Sequence, residues 1–438
     1  MREAGRCAGV TGRSDLDDRS AGAADTRVDL SIIILLLAAL CYNALLAIIN
    51  AHVRPLSVTQ AAASEFLILA AAAGLMIARG LRPQDAAPLG LGIAFFFGSL
   101  ILSIANDQPV VAMMRNVAII VVFTMLGGRC NRATIRAVFL LSVAIVLAVM
   151  IVEMSSISTY SSIFNPFKYY KNTRGLGEDI SEDIGLFSNA LGFEGRFNFG
   201  VFSTPRTSSI FLEQTSLANF ASFCVIYLVS LWRSTNRAER WLGISFVSLA
   251  LLSNNTRTAS LLTLISLAGF FIFPLLPRRG TLALPFLVLA LAWMATTLMG
   301  VSHEDDLAGR VGLSLNQLSV AKFDAWLGLR ALDAYRFPDS GYCYVLYGSS
   351  IFGAIVLWLY ITLVIPFHTV EQRRCAWATG LFFFANLMIG GNAVFSIKVA
   401  AAIWLLAGFM RREEGDGQVG QTMPQGRVPP AVRPVALG

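Results

Sequence analysis

Three short stretches carry residue types that can do chemistry. PRTSSIFLE supplies Arg206 and Glu213, SNNTRTAS supplies Asn254 and Arg257, and FPDSGYCYVLYGSSIFG supplies Asp339 and Tyr342. Arginine presents a planar, permanently charged fork to anionic oxygens. A carboxylate in a poorly solvated place can take a proton near neutral pH, and a tyrosine hydroxyl can bond a substrate. Two more cations, Arg115 and Lys398, are set a few residues inside apolar runs.

What must position them is a set of membrane helices. The chain is 55% hydrophobic and only 14% charged, with apolar residues in blocks rather than alternating with polar ones. This predicts an all-α polytopic integral membrane protein. Apolar segments run at about 29–49, 62–78, 88–105, 110–126, 137–154, 208–232, 241–253, 258–276, 281–300, 342–367, 376–389 and 392–410. About twelve transmembrane helices are therefore expected, and segments 241–253 and 376–389 read as short, tilted or broken.

Arginines orient the bundle. With a cytoplasmic N-terminus, Arg79, Arg82, Arg129, Arg132, Arg136, Arg233, Arg237, Arg240, Arg278, Arg279, Arg373 and Arg374 gather inside with the basic residues of both tails. Short outer loops then carry only Arg54 and Arg257, as the positive-inside rule requires. The net charge of +7 follows from this topology and does not call for nucleic acid. The expected organisation is a cytoplasmic tail over 1–28, a membrane domain over 29–410, and a Gly/Pro-rich disordered cytoplasmic tail over 411–438. Acidic Asp15, Asp17, Asp18 and Asp25 argue against a signal peptide, so the first span reads as uncleaved. No pair of the six cysteines falls in an outer loop, so neither a disulfide framework nor a CxxC metal site is indicated.

Two long outer loops, 155–207 and 301–341, interrupt the short turns, and loops of such length are usually functional or disordered. The first interleaves many aromatics with Lys168, Lys171, Arg174 and Arg196, a pattern able to stack on sugar rings and hold phosphates, or to form an interfacial belt. His303-Glu304-Asp305-Asp306 in the second reads as a solvated acidic run, and no metal or other cofactor is expected.

Depth is informative, because ionisable residues inside a membrane are costly and mark function. Arg115, Lys398, Glu65, Glu153 and Glu213 all fall in the outer half of their spans. With a helix starting at Ser208, Glu213 would lie ~7.5 Å down and near the same face as Arg206. A cavity open outward and closed below fits this better than the through-path of a transporter or lipid-linked oligosaccharide flippase. The plainer alternative has Arg115 and Lys398 snorkelling, with Glu213 paired to one of them.

The three stretches resemble those of bacterial surface-polysaccharide polymerases of the Wzy type, in particular the exopolysaccharide polymerase group, and more distantly the O-antigen ligases. RTSSIFLEQTSLANF is similar to the polymerase signature. NTRTASLL is similar to the family's Ser-Arg-Gly turn, with Thr256 and Thr258 in place of its small residues. DSGYCYVLYGSSIFG is similar to the helix that follows, with Gly353 in its glycine region. A ligase has a histidine before that helix, where this chain has Asp339-Ser340, which favours the polymerase.

The resemblance implies an integral-membrane glycosyltransferase of the bacterial inner membrane, with both termini cytoplasmic. It would join undecaprenyl-diphosphate-linked oligosaccharide repeats at the periplasmic face, alongside the chain-length regulator and flippase of its pathway. Arg206 and Arg257 would then hold the diphosphate, with Arg115 or Lys398 as a second cationic layer. Glu213 or Asp339 would be the base, and Tyr342 and Asn254 would bond substrate.

Overall fold

The computed structural model describes residues 27–175, 183–191, 198–202, 205–299, 307–389 and 391–412. Both expected tails therefore lie mostly outside the described residues, as do Arg196 and the His303–Asp306 run. The described residues are helical, with no strand among them. In chain order the α-helices are α1 Leu30–His52, α2 Val58–Ala78, α3 Ala86–Ala105, α4 Ala112–Gly127, α5 Arg132–Ser155, α6 Ile157–Phe164, α7 Pro166–Arg174 and α8 Gln214–Leu231. They continue as α9 Arg237–Asn254, α10 Arg257–Ile272, α11 Arg278–Met299, α12 Leu307–Ser319, α13 Phe323–Trp326, α14 Gly341–Leu363, α15 Val370–Ile389 and α16 Ile397–Arg412.

Every expected apolar segment coincides with an α-helix, although those of 208–232 and 392–410 begin only at Gln214 and Ile397, and among the described residues eight helices are long and apolar enough to cross a membrane. The two segments read as short do not form short helices. Polar first turns extend both, giving α9 18 residues and α15 20 residues. In α9 the extension is held by a capping box, where Asn236 Oδ1 accepts from Glu239 N at 2.8 Å and Glu239 Oε2 accepts from Asn236 N at 2.7 Å. The expected loops are also not bare connections, since α6 and α7 lie in the first and α12 and α13 in the second.

Two helices form the centre. Almost all of α8 is buried, and α16 is buried from Ile397 through Met410. Helix α8 packs against α9, α10, α15 and α16, while α16 also packs against α1 and α4. By contrast α2, α3 and α11 expose large apolar side chains such as Phe66, Phe97 and Phe286, the surface a hydrocarbon phase would accept.

Small residues allow the closest crossing. A Cβ placed on Gly408 of α16 would lie 2.8 Å from Thr124 C and 3.0 Å from Gly127 Cα of α4, so the two backbones meet where only glycine fits. Beside this crossing Arg129 and Asp85 form a buried ion pair at 2.8 Å. Arg411 and Arg412 donate to the carbonyls of Gln84 and Cys130, each at 2.9 Å. This arginine-rich end is therefore closed by backbone contact and capped by ion pairing. Helix α14 is broken within the glycine-bearing stretch, where Ser350 takes φ 61° and ψ 173°.

Gly408→Leu forces a side chain into the α4 backbone and is expected to cost on the order of 3 kcal/mol. Thermal melting of the detergent-solubilised protein should fall accordingly, and an unchanged melt would show that the crossing is looser than described.

Candidate functional site

The opening stretch folds differently from its sequence reading. Residues Thr207 to Leu212 are not α-helical, with a single 3-10 turn at Ser209–Phe211, and α8 begins only at Gln214, with extended Glu213 at its N-cap position. The cause lies on α5. Buried Glu153 accepts from the backbone N–H of Ser208 at 3.0 Å, from Ser208 Oγ at 3.0 Å and from the N–H of Ser209 at 2.7 Å. Those amides are drawn into a turn with Ser209 at φ 51° and Leu212 at φ 60°. Tyr160 Oη donates to Ser209 O at 2.7 Å and Ser209 Oγ to Val146 O at 2.7 Å, closing the turn from both sides. Arg206 and Glu213 thus do not share a helix face, and a depth counted at helical rise from Ser208 does not apply.

A second turn faces the first. Between α9 and α10, Asn255 adopts the left-handed conformation that a short polar side chain tolerates. Arg206 reaches across to brace it. Its Nε donates to Asn254 O at 2.5 Å, and its Nη2 donates to Asn255 O at 3.2 Å and Thr256 Oγ1 at 2.9 Å. Asn254 returns the tie, its Nδ2 donating to Thr207 O at 2.7 Å and Gln214 O at 2.9 Å.

Between these turns and the start of α14 is a cavity of about 310 Å³. Four arginines line it: Arg174 from the end of α7, Arg206 from the first turn, Arg257 from the start of α10 and Arg310 from α12. Two carboxylates, Glu213 and Asp339, and the side-chain amides of Asn189, Gln214, Asn219, Asn255, Asn386 and Asn392 complete the polar lining. Asp339 is exposed beside α14, and its neighbour Pro338 is fixed by its carbonyl accepting from Asn392 N at 3.1 Å.

Glu213 is held between two cations. Lys398 Nζ lies 3.2 Å from Oε2, and Arg174 donates through both Nη atoms at 3.3 and 3.4 Å. A lone carboxylate there would be costly to desolvate, and the two cations offset that cost. Arg174 also stacks over the Tyr170 ring at 4.1 Å, which sets the guanidinium plane.

The structure thus brings Arg206, Glu213, Arg257 and Asp339 to one cavity, and Lys398 into contact with Glu213 from behind. It does not bring the others there. Arg115 forms an ion pair with Glu65 of α2 and donates to Asn116 Oδ1 at 3.2 Å, which places it in a separate polar cluster with Tyr344. Tyr342 packs against the apolar group of Ala292, Val311 and Met388, and Asn254 is engaged by backbone carbonyls. Arg174, Arg310, Gln214, Asn219 and Asn386 were not picked out as site residues by sequence. Arg174 had a signal, the aromatic and cationic interleaving of its loop, and Asn386 had its place at the outer end of an apolar run, whereas Arg310, Gln214 and Asn219 had none beyond residue type. No protein-family model, curated protein or solved structure matches this chain.

Lys398→Met should destabilise the protein by about 3 kcal/mol, because Glu213, only partly exposed at the cavity, loses half its compensation. In the double variant Lys398→Met/Glu213→Gln the loss should be smaller than the sum of the single losses by about 1–3 kcal/mol. Additive losses in melting experiments would show that the pair is not coupled. Arg206→Ala, by removing the brace of the α9–α10 turn, should cost about 2 kcal/mol.

Proposed function

We propose that this chain is an integral-membrane glycosyltransferase that polymerises undecaprenyl-diphosphate-linked oligosaccharide repeats into a surface or secreted polysaccharide. In this reading about twelve helices span the bacterial inner membrane, both termini are cytoplasmic, and the cavity opens to the periplasm. The observation that carries it is convergence: Arg206, Arg257 and Asp339, one from each of the three motifs that resemble the polymerases, line a single cavity. Arg174 and Arg310, one from each of the two long connections, line it as well.

The chemistry asks for two things, and the cavity offers both. The acceptor sugar's hydroxyl oxygen attacks the anomeric carbon of the donor, and the bond from that carbon to the lipid diphosphate breaks. Negative charge grows on the departing diphosphate, where fixed guanidinium groups in a poorly solvated cavity stabilise it. The hydroxyl proton needs a carboxylate that is not already saturated by cations. Glu213 is engaged by Lys398 and Arg174, so its role is to hold Arg174 at the cavity; Asp339 is the base.

The purified full-length protein, incubated in detergent with a lipid-linked repeat, should yield longer lipid-linked chains, since detergent abolishes any transport readout. Asp339→Asn and Arg257→Ala should each lower the rate by about 100-fold or more while the protein melts normally. Wild-type protein that moves the lipid-linked repeat across vesicles but never lengthens it would sink the polymerase reading in favour of a flippase.

A further inference from the structure

Three amide side chains in the cavity wall are not accounted for by binding a diphosphate. Gln214, Asn219 and Asn386 are 3%, 4% and 2% exposed, and all three line the cavity. Among the described residues, Gln214 Oε1 and Asn219 Nδ2 are buried without a hydrogen-bond partner. Asn386 Nδ2 donates to Phe382 O at 2.9 Å within its own helix, which leaves Oδ1 as its acceptor. A buried amide group left unsatisfied costs about 1–3 kcal/mol, so two of them in one wall call for an explanation.

Their placement gives one. Helix α8 turns Gln214, Thr215, Ala218 and Asn219 toward the cavity, one stripe along the helix. Asn219 lies five residues beyond Gln214, ~7.5 Å further along the axis and away from the arginine-bearing turns. Its neighbours Leu217, Phe220 and Ala221 are buried and apolar, so the Asn219 amide is set among apolar side chains. Asn386 lies about one turn before the end of α15. The cavity thus has arginines and both carboxylates on one side, and a set of neutral amides that begins at Gln214, beside Glu213, and continues along α8 to Asn219.

We propose that Gln214, Asn219 and Asn386 form a subsite for the uncharged glycosyl residue attached to the diphosphate, which the arginines hold; this rests on reading the cavity as a lipid-diphosphate site. A sugar hydroxyl both donates and accepts, and an acetamido group does the same through separate atoms. Gln214 Oε1 and Asn386 Oδ1 supply acceptors and Asn219 Nδ2 a donor, with no charge among them to attract phosphate. A site built to bond hydroxyls rejects ligands that lack them, because its own buried groups then go unpaired. These residues therefore set which sugar is accepted, while the arginines bind whatever carries the diphosphate.

The test uses the full-length protein in detergent micelles and two kinds of probe. One is a short-chain prenyl diphosphate, and the other is the same molecule carrying glucose, galactose or N-acetylglucosamine. Wild-type protein should bind at least one glycosylated probe about 10-fold more tightly than the bare diphosphate. Asn219→Leu should erase that preference and leave affinity for the bare diphosphate unchanged; Asn219→Ala and Asn386→Ala, which add no volume, should do the same if the leucine variant fails to fold. A preference that survives in folded Asn219→Ala and Asn386→Ala, or equal weakening of both probes, overturns the subsite while leaving the diphosphate site intact. Failure of wild-type protein to bind even the bare diphosphate overturns the underlying reading, and the subsite with it. Binding of all probes with equal affinity by wild-type protein overturns the subsite alone.

Discussion

The ion pair between Lys398 and Glu213 joins the two most buried helices at the point where the cavity begins. Lys398 is the second residue of α16 and Glu213 immediately precedes α8, so the pair fixes the start of one central helix against the start of the other. Neither charge would be tolerable alone at that depth, since an unpaired buried ion costs far more than most single contacts return. Lys398 Nζ also donates to Phe211 O at 3.3 Å, so the same ammonium holds a carbonyl of the non-helical turn. Arg174 completes the arrangement from the cavity side. One carboxylate shared between a buried lysine and a half-exposed arginine is what brings α7, and with it the first long connection, over the opening.

The same end of the molecule needs polar side chains for a second reason. Two irregular turns lie there, and irregular backbone at membrane depth is tolerated only where protein or a water-filled cavity satisfies it. Glu153 accepts the amides of one turn, and Arg206 donates to the carbonyls of the other. These residues answer complementary needs, one for donors without acceptors and one for acceptors without donors. Arg206 braces the α9–α10 turn and lines the cavity with the same guanidinium.

How far the sequence could be read follows from these interactions. Long apolar runs between arginine-bearing turns announce helices directly, and each of the twelve segments coincides with a helix because local hydrogen bonding prevails over most of an apolar stretch, the starts of 208–232 and 392–410 excepted. Shared depth pointed to Glu213, and the three short motifs supplied Arg206, Arg257 and Asp339; all four reach one cavity. Depth does not give azimuth, however. Arg115 lies at a similar level on α4, a helix apolar on every side, and no periodicity there says that it faces Glu65 instead of the cavity. The start of α8 was illegible for a different reason: Ser208 and Ser209 are pulled out of helical register by Glu153, 55 positions earlier in the chain. The amides Asn219 and Asn386 lie inside apolar runs, where a lone polar residue gives no sign of its direction.

The distribution of charge along the central helices bears on whether anything could pass through. Between Ile397 and Met410, Lys398 is the single ionisable side chain of α16, and the remainder of that stretch is apolar and buried. Beyond it the helix meets α4 at the Gly127 and Gly408 crossing, where no side chain fits between the backbones. A polar solute entering from the cavity would therefore meet amides first and then a close-packed apolar wall that offers it no hydrogen bond. A pocket lined by arginines and neutral amides beside a close-packed apolar core offers a place to hold a ligand and no polar route onward, which is what the proposed transferase reading requires and a flippase reading does not.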